Sequence, residues 1–210
     1  MVGERSDKKN AIQALYNGEI SAGSLLVSES RLIAHLLLAN INANDWDRAI
    51  RIDNILQKRN PASAKRQARL IRKRLDLMPS ELLRIIVDGG LEASVQAVLA
   101  AAIKHSHLLG DFMDTVVRSH WRTFQQHISN KDWSDFMDAC AQIDPHVDIW
   151  TNATRSKLRQ VVFRILAEAG YVENTRSLRL LPVRIVPEIR HCLEKHREVY
   201  VLRCMDAANS

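Results

Sequence analysis

The sequence is poor in the residues that interrupt helices and in those that build disulfide frameworks. Among 210 residues there are 7 Gly, 5 Pro and 3 Cys, and aromatic residues make up 5%. So few Gly and Pro residues favour a mainly α fold. Three cysteines that lie far apart exclude a disulfide framework, and we interpret them as small core residues of a protein in a reducing compartment.

Long apolar segments and the short motifs of common enzyme classes are also missing. The longest apolar run, residues 97–103, is far shorter than the roughly 20 residues that span a bilayer. The N-terminus lacks the charge and hydropathy order of a signal peptide. Phosphate-binding glycine loops, dinucleotide fingerprints and zinc-protease motifs are not found. We therefore expect a cytoplasmic protein without a metal, a cofactor, a small-molecule substrate or a membrane partner.

The sequence has an excess of positive charge, and this excess is concentrated in one segment. The chain carries 30 Lys and Arg against 24 Asp and Glu, a net charge of +6. Residues 58–74, KRNPASAKRQARLIRKR, include eight of the basic residues and no acidic one. A merely solvated helix face usually mixes charges of both signs. The missing compensation therefore favours a surface that binds a polyanion.

Periodicity predicts a helix over Ser63–Leu77, N-capped by Ser63 after a turn. The apolar residues of this helix share one narrow face, which consists of Ala64, Ala68, Ile71 and Leu75. Cations cover the opposite side, and Arg74 falls outside both faces. The DNA contacts predicted from this segment are Lys58, Arg59, Lys65, Arg66, Arg69, Arg72 and Lys73.

Helical patterns cover most of the remaining chain. They predict helices over residues 28–40, 45–58, 79–88, 91–105, 108–128, 132–143, 154–169 and 187–197. Residues 45–77 are also loosely consistent with a helix-turn-helix. We divide the chain into a helical bundle at 1–147 and a smaller C-terminal segment at 148–210 that packs on it.

The C-terminal segment has a different pattern between its two helices. A polar turn at residues 174–177 precedes a short alternating run, which predicts a β-hairpin. Helix, hairpin and helix in this order are the layout of a winged helix, and a hairpin that is only structural explains the pattern equally well. If the segment is a winged helix, its predicted DNA contacts are Lys157, Arg164, Arg176 and Arg179.

One weak enzymatic pattern is present. Arg122 and His127 have an R-x4-H spacing that some all-helical RNases use, with His as acid or base and Arg beside the phosphate. Two fixed positions in six residues arise easily by chance in a chain with this many Arg and His residues. An RNase is therefore the weakest of the alternatives.

Several long stretches of the sequence resemble the BrxA family, a small component of the BREX bacteriophage-exclusion systems of bacteria. The resemblance rests on ISAGSLLVSESRLIAHLLL (20–38), DNILQKRNPASAKRQARLIRKRL (53–75), AAAIKHSHLLGDFM (100–113), KLRQVVFRILAEAGYVENTRSLRL (157–180) and YVLRCM (200–205). It implies a helical core similar to the RNA-binding factor NusB, with additional C-terminal structure. It also implies double-stranded DNA binding, no catalytic activity, and other BREX proteins as partners.

These inferences together predict a non-enzymatic subunit that binds double-stranded DNA mainly through phosphates. Base readout should be minor, because the basic helix has no Asn and only Gln67 to recognise adenine through a bidentate amide. The alternatives are an RNA-binding factor of the NusB type, an assembly scaffold for acidic protein partners, and the RNase. The residues themselves leave the choice between DNA and RNA open.

Overall fold

A computed structural model describes residues 14–207, and helices make up most of this part of the chain. The predicted mainly α fold is confirmed. The α-helices are α1 Val27–Leu38, α2 Ala43–Asp47, α3 Pro61–Leu75, α4 Ser80–Asp88, α5 Leu91–His105, α6 His107–Asp111, α7 Arg118–Arg122, α8 Asn130–Ile143, α9 Asn152–Glu168, α10 Pro187–Lys195 and α11 Val199–Met205. Short 3-10 turns lie at Glu19–Ala22 and Pro145–Val147, and π-helical turns at Arg48–Ile52 and Phe112–Val117.

Helix α5 is the central element of the fold. It spans the predicted residues, Leu91–His105, and every residue from 96 to 103 is buried. Four of those eight residues are Ala, whose small side chains let neighbouring helices approach closely. Helices α1, α3, α4, α6, α10 and α11 all contact α5. A helix that is apolar on every side must be enclosed in this way, so α5 sets the positions of the helices around it.

Gln96 is a buried polar side chain of α5, and it fixes the extended chain that leads into α10. Its Nε2 donates to the carbonyl oxygen of Arg184 at 2.9 Å, and its Oε1 accepts from the backbone N–H of Val186 at 2.9 Å. Both ends of the amide are therefore satisfied, as buried polar groups require. The segment that follows α9 is tied to the central helix through this one side chain.

Helix α3, the predicted basic helix, begins two residues before the predicted start. Its N-cap is Asn60, whose side chain accepts from the backbone N–H of Ala62 at 2.8 Å. Pro61 follows at the first helical position, where a missing N–H costs nothing. The prediction of Ser63 as the cap is therefore wrong. The predicted apolar face is confirmed, since Ala64, Ala68, Ile71 and Leu75 are all at most 2% exposed.

The helix predicted over residues 45–58 ends early. Helix α2 continues only through the π-helical turn to Ile52. Asn54 then adopts a left-handed backbone with φ of 45°. Its side chain accepts from the N–H of Lys58 and donates to the carbonyl oxygen of Lys58, both at 3.1 Å. Asn competes with the helix in this way because its short amide can bond to nearby backbone groups.

The predicted β-hairpin after α9 is not supported, and the winged helix that depended on it is not supported either. Residues 14–207 contain no β-strand, only two isolated antiparallel bridges, Val172 with Leu180 and His127 with Arg179. Leu178 has a left-handed φ of 48°, which ends the extended run on that side. The chain around residue 179 therefore pairs with two segments, the one at Val172 and the loop before α8 at His127. It forms a continuous β-ladder with neither of them.

Helix α11 was not predicted from the sequence. The chain breaks after α10 at Arg197, where φ is 58°, and turns helical again at Val199. Its end is tied to the segment after α9, because the hydroxyl of Tyr171 donates to the carbonyl oxygen of Met205 at 2.6 Å. One hydrophobic core includes buried residues from both predicted parts of the chain. The division at residue 147 stays a prediction.

Two carboxylates connect parts of the chain that are distant in sequence. Asp111 accepts from the hydroxyl of Tyr16 at 2.8 Å and from that of Tyr200 at 2.6 Å. Asp144 accepts from the backbone N–H of Tyr16 at 3.0 Å and from both the backbone and the ring of His146. The bond from the Tyr16 N–H is the main cause that lowers the pKa of Asp144 to about 2. The start of the described chain is therefore held by charge as well as by packing.

Replacing Gln96 by Leu should lower the free energy of unfolding by about 1–3 kcal/mol, because two backbone groups near α10 lose their partners. Urea unfolding should show the loss, and the amide of Val186 should exchange faster with deuterium. Gln142→Leu, at an exposed position on α8, should change stability by no more than about 0.5 kcal/mol. Equal effects of the two changes would contradict the role assigned to Gln96.

Asp144→Asn should lower the melting temperature at pH 7, and the difference from the wild type should shrink in acid. The folded pKa lies below the unfolded value near 3.8, so the carboxylate stabilises the fold above that pH and loses this contribution as pH falls towards 2. Melting curves between pH 7 and strongly acidic buffer check this. Asp148→Asn is the control, since that side chain is 69% exposed. A constant difference at all pH values would contradict the prediction.

Candidate nucleic-acid interface

Helix α3 exposes the cations that the sequence placed opposite its apolar face. The exposed side chains are Lys65, Arg66, Arg69, Arg72 and Lys73. Burial of the apolar face against the core, including α5, fixes the rotation of the helix, so these five side chains face away from the core. The surface is therefore a product of the fold and does not depend on a flexible loop.

The five cations differ in their partners. Arg72 approaches Asp76 at 3.5 Å and lies over the ring of Trp46, 4.6 Å from its centroid. Lys73 pairs with Glu19 at 2.5 Å. Lys65, Arg66 and Arg69 form no ion pair or side-chain hydrogen bond within residues 14–207. We call these three residues the basic ridge, because they are the part of α3 whose charge is uncompensated.

Two depressions flank the basic ridge. The larger, of about 690 Å³, lies between α3 and the Trp46–Arg51 segment. The smaller, of about 290 Å³, lies between α3 and the turn at residues 19–22. Arg66 and Arg69 line both. They therefore stand on the crest between two grooves, where a large anionic surface can reach them without entering a pocket.

The remaining basic residues of the 58–74 segment have other surroundings. Arg74 is 2% exposed and donates to the carbonyl oxygens of Ser24 at 2.6 Å and Gly23 at 3.2 Å. Burial lowers its pKa to about 10, which still leaves it charged at neutral pH. Lys58 is largely buried in an ion pair with Glu29. Arg59 is exposed and, in the described part of the chain, has no carboxylate partner.

A second basic surface lies where α9 meets the loop after it. A groove of about 540 Å³ there is lined by Arg159, Arg164 and Arg176, together with residues 128–130 at the start of α8. None of the three guanidinium groups has an ion-pair partner among the described residues. We call this the C-terminal groove. The sequence predicted Arg164 and Arg176 for a DNA contact, and the structure brings them to one groove although the predicted wing is not formed.

Two further predicted residues lie outside the lining of the C-terminal groove, and one residue that does line it was missed. Lys157 is exposed on α9 but does not line the groove. Arg179 pairs with Glu173 at 3.2 Å, and this contact is the main cause of the lowered pKa of Glu173. Arg159 was missed because it follows the buried Leu158, at the edge of the apolar stripe of α9. Its only signal in the sequence was its spacing from Arg155, which the structure pairs with Asp138 and Asp148.

The residues of the weak RNase pattern lie at the two ends of the loop between α7 and α8. Arg122 and His127 are both exposed. No hydrogen bond or ion pair orients the imidazole of His127 within the described residues. A general acid or base is normally oriented by a second group, so the geometry adds nothing to the RNase hypothesis.

The cysteines occupy the positions expected of core residues. Cys140, Cys192 and Cys204 are buried and free. Burial raises the pKa of each thiol, to about 12 for Cys140 and Cys204. The described helices also include none that is long and apolar enough to cross a membrane.

Fold and surface together define a mainly helical protein with two clusters of uncompensated arginine and lysine side chains. The sequence model of the BrxA family matches residues 14–197. The chain belongs to this family, whose members are components of BREX systems. The predicted resemblance is confirmed.

Relatives cover nearly the whole chain. A BREX protein BrxA from Paramagnetospirillum magneticum is 43% identical over 92% of this chain and 97% of its own length. BREX protein BrxA from Escherichia coli is 31% identical over 85% of this chain and 84% of its own length. A crystal structure of a protein from Magnetospirillum magneticum, 42% identical, superposes with a TM-score of 0.86 and covers 92% of this chain and 99% of that one. The fold described above is therefore one that has been solved for a related sequence.

Proposed function

We propose that this protein is a non-enzymatic, cytoplasmic subunit of a BREX phage-defence system that binds double-stranded DNA mainly through phosphate contacts. The basic ridge carries the proposal. Three adjacent cations without acidic partners stand on the crest of α3, on a helix whose rotation is fixed by its buried face. Phosphates are the partners that compensate such a surface most favourably, because their binding releases condensed counterions.

The dimensions of the ridge suit a phosphate backbone. From Lys65 to Arg69 the helix rises about 6 Å, and successive phosphates of one strand advance about 3.4 Å along the duplex axis. Two neighbouring phosphates can therefore meet the ridge together. Readout of adenine by α3 is not favoured, because Gln67 is only partly exposed and its Oε1 is buried. Binding through this helix should be largely independent of sequence.

The C-terminal groove extends the proposed footprint. Its arginines come from α9 and from the turn at residues 174–177, so it is built independently of α3. A duplex is long enough to contact more than one such surface. Other BREX proteins are the proposed protein partners, and the similarity to NusB stays a prediction. RNA binding remains the leading alternative, because phosphates alone do not distinguish the two nucleic acids.

Arg66→Ala together with Arg69→Ala should weaken duplex binding and flatten its salt dependence by about two units. Each neutralised phosphate contributes about −0.9 to the slope of log affinity against log salt. Fluorescence anisotropy with a labelled duplex, repeated at several salt concentrations, measures both effects. The fold should be kept, since Ala favours helix and removing both of these like charges, which lie three residues apart, relieves their repulsion.

The matched control for that double change is Arg84→Ala with Arg197→Ala. It removes the same charge from two exposed arginines on other elements. The control should keep the wild-type slope. If both pairs flatten the slope equally, net charge explains binding and the ridge has no special role. Equal or tighter binding of single-stranded RNA would favour the RNA alternative. Cleavage of that RNA by the wild type but not by His127→Ala would establish the RNase instead.

Arg164→Ala together with Arg176→Ala should also flatten the salt slope by up to about two units. Neither side chain packs in the core, so the melting temperature should change little. The four substitutions together should add, because the two surfaces share no contacts. Salt titrations of the double and quadruple variants check this. An unchanged slope in Arg164→Ala with Arg176→Ala would confine the interface to α3.

A further inference from the structure

The loop between α7 and α8 displays one aromatic side chain almost entirely to solvent. Phe124 is 91% exposed, more than any other large apolar residue among residues 14–207. Its φ is 57°, a left-handed backbone that is uncommon for a bulky residue. Its N–H donates to the carbonyl oxygen of Trp121 at 3.3 Å, and the next N–H, of Gln125, donates to that of His120 at 2.9 Å. The end of α7 therefore directs the backbone of Phe124 outward.

The same loop is fastened on its other side. The N–H of Leu180 donates to the carbonyl oxygen of Gln126 at 2.8 Å, and the N–H of Ile128 donates to that of Leu178 at 3.0 Å. Between these two bonds His127 and Arg179 form an antiparallel bridge. Phe124 thus stands on a short loop whose backbone is anchored by hydrogen bonds at both ends. Preorganisation of this kind lowers the entropic cost of inserting a side chain.

Exposed cations lie on both sides of Phe124 along the chain. Arg122 is exposed two residues before it, and the loop leads within a few residues to Ile128 and Asn130 in the wall of the C-terminal groove. The arginines of that groove have no acidic partners in the part of the chain that the structure describes. The nearby carboxylate of Glu173 is already engaged by Arg179. An apolar partner protein would have to be acidic around its binding site, whereas a duplex offers phosphates and stacked bases side by side.

We infer that Phe124 inserts between adjacent base pairs of a duplex whose phosphates lie along the C-terminal groove. This inference rests on the proposed DNA binding and adds a contact to the base stack. Base planes are the apolar surface of nucleic acid, and proteins use Phe in this way to unstack a step and kink the duplex. Stacking tolerates every base, so the contact is compatible with binding that ignores sequence. Flexible pyrimidine–purine steps are where insertion is easiest.

The test uses the full chain and a duplex that contains 2-aminopurine at a TA step. Insertion should unstack this base and raise its fluorescence when the wild-type protein binds. Phe124→Ala should abolish the rise and weaken binding about 5- to 30-fold. It should leave the salt slope unchanged, because the ring contacts no phosphate. Phe124→Trp should keep both the affinity and the fluorescence rise.

Two controls separate this inference from its alternatives. Leu91→Ala removes another exposed apolar side chain, 74% exposed on α5, and should behave as the wild type. Arg122→Ala should flatten the salt slope by about 0.9 if it meets one phosphate, while the 2-aminopurine signal remains. A wild-type protein that does not bind duplex DNA overturns the proposed function. Binding without a fluorescence change, or with equal affinity in Phe124→Ala, overturns the insertion alone.

Discussion

The enclosure of α5 is the constraint on which the rest of the structure depends. A helix with eight consecutive buried residues cannot have a solvent face, so other helices must cover every side of it. The small side chains of its alanines let the neighbouring helices pack closely against it. Helix α3 must direct its Ala64 and Ile71 face towards the core, and the exposure of the basic ridge is a direct result. Gln96 ties the segment before α10 to the same helix.

The basic residues of the 58–74 segment have different structural roles, although they are all Lys or Arg in the sequence. Arg74 is buried and donates to the carbonyl oxygens of Ser24 and Gly23, and the charge of Glu168 raises its pKa against the lowering caused by burial. Lys58, in the segment before α3, forms an ion pair with Glu29, and Lys73, on α3, forms one with Glu19. What remains on the surface is a smaller set than the composition suggests. The basic segment should therefore contribute fewer phosphate contacts to the salt slope of the intact protein than eight cations would give.

Local sequence predicted most of the helices, although it extended the helix over residues 45–58 too far and missed α11, and it predicted contacts between distant segments poorly. The bounds of α5 were predicted to the residue, because helical periodicity and the flanking glycines act within a few positions. The predicted hairpin is not supported, because the chain near Arg179 is shared between two partners. One of these partners is the loop that contains His127. Local pattern also could not show that Lys58 would meet Glu29, because the partner lies in another helix. Periodicity predicted which cations of α3 are exposed to solvent. It did not predict which of them form ion pairs with acidic residues.

Without a winged helix, the proposed DNA binding depends on the surfaces that the chain does form. Recognition by a helix in the major groove needs an exposed helix with side chains for base edges, and α3 offers cations and a half-buried Gln67. Charge alone would let a duplex slide freely over such a protein. An inserted aromatic changes this, because unstacking is easier at some steps than at others. Phosphate contacts at α3 and insertion at Phe124 would therefore combine sequence-tolerant affinity with a preference for deformable DNA.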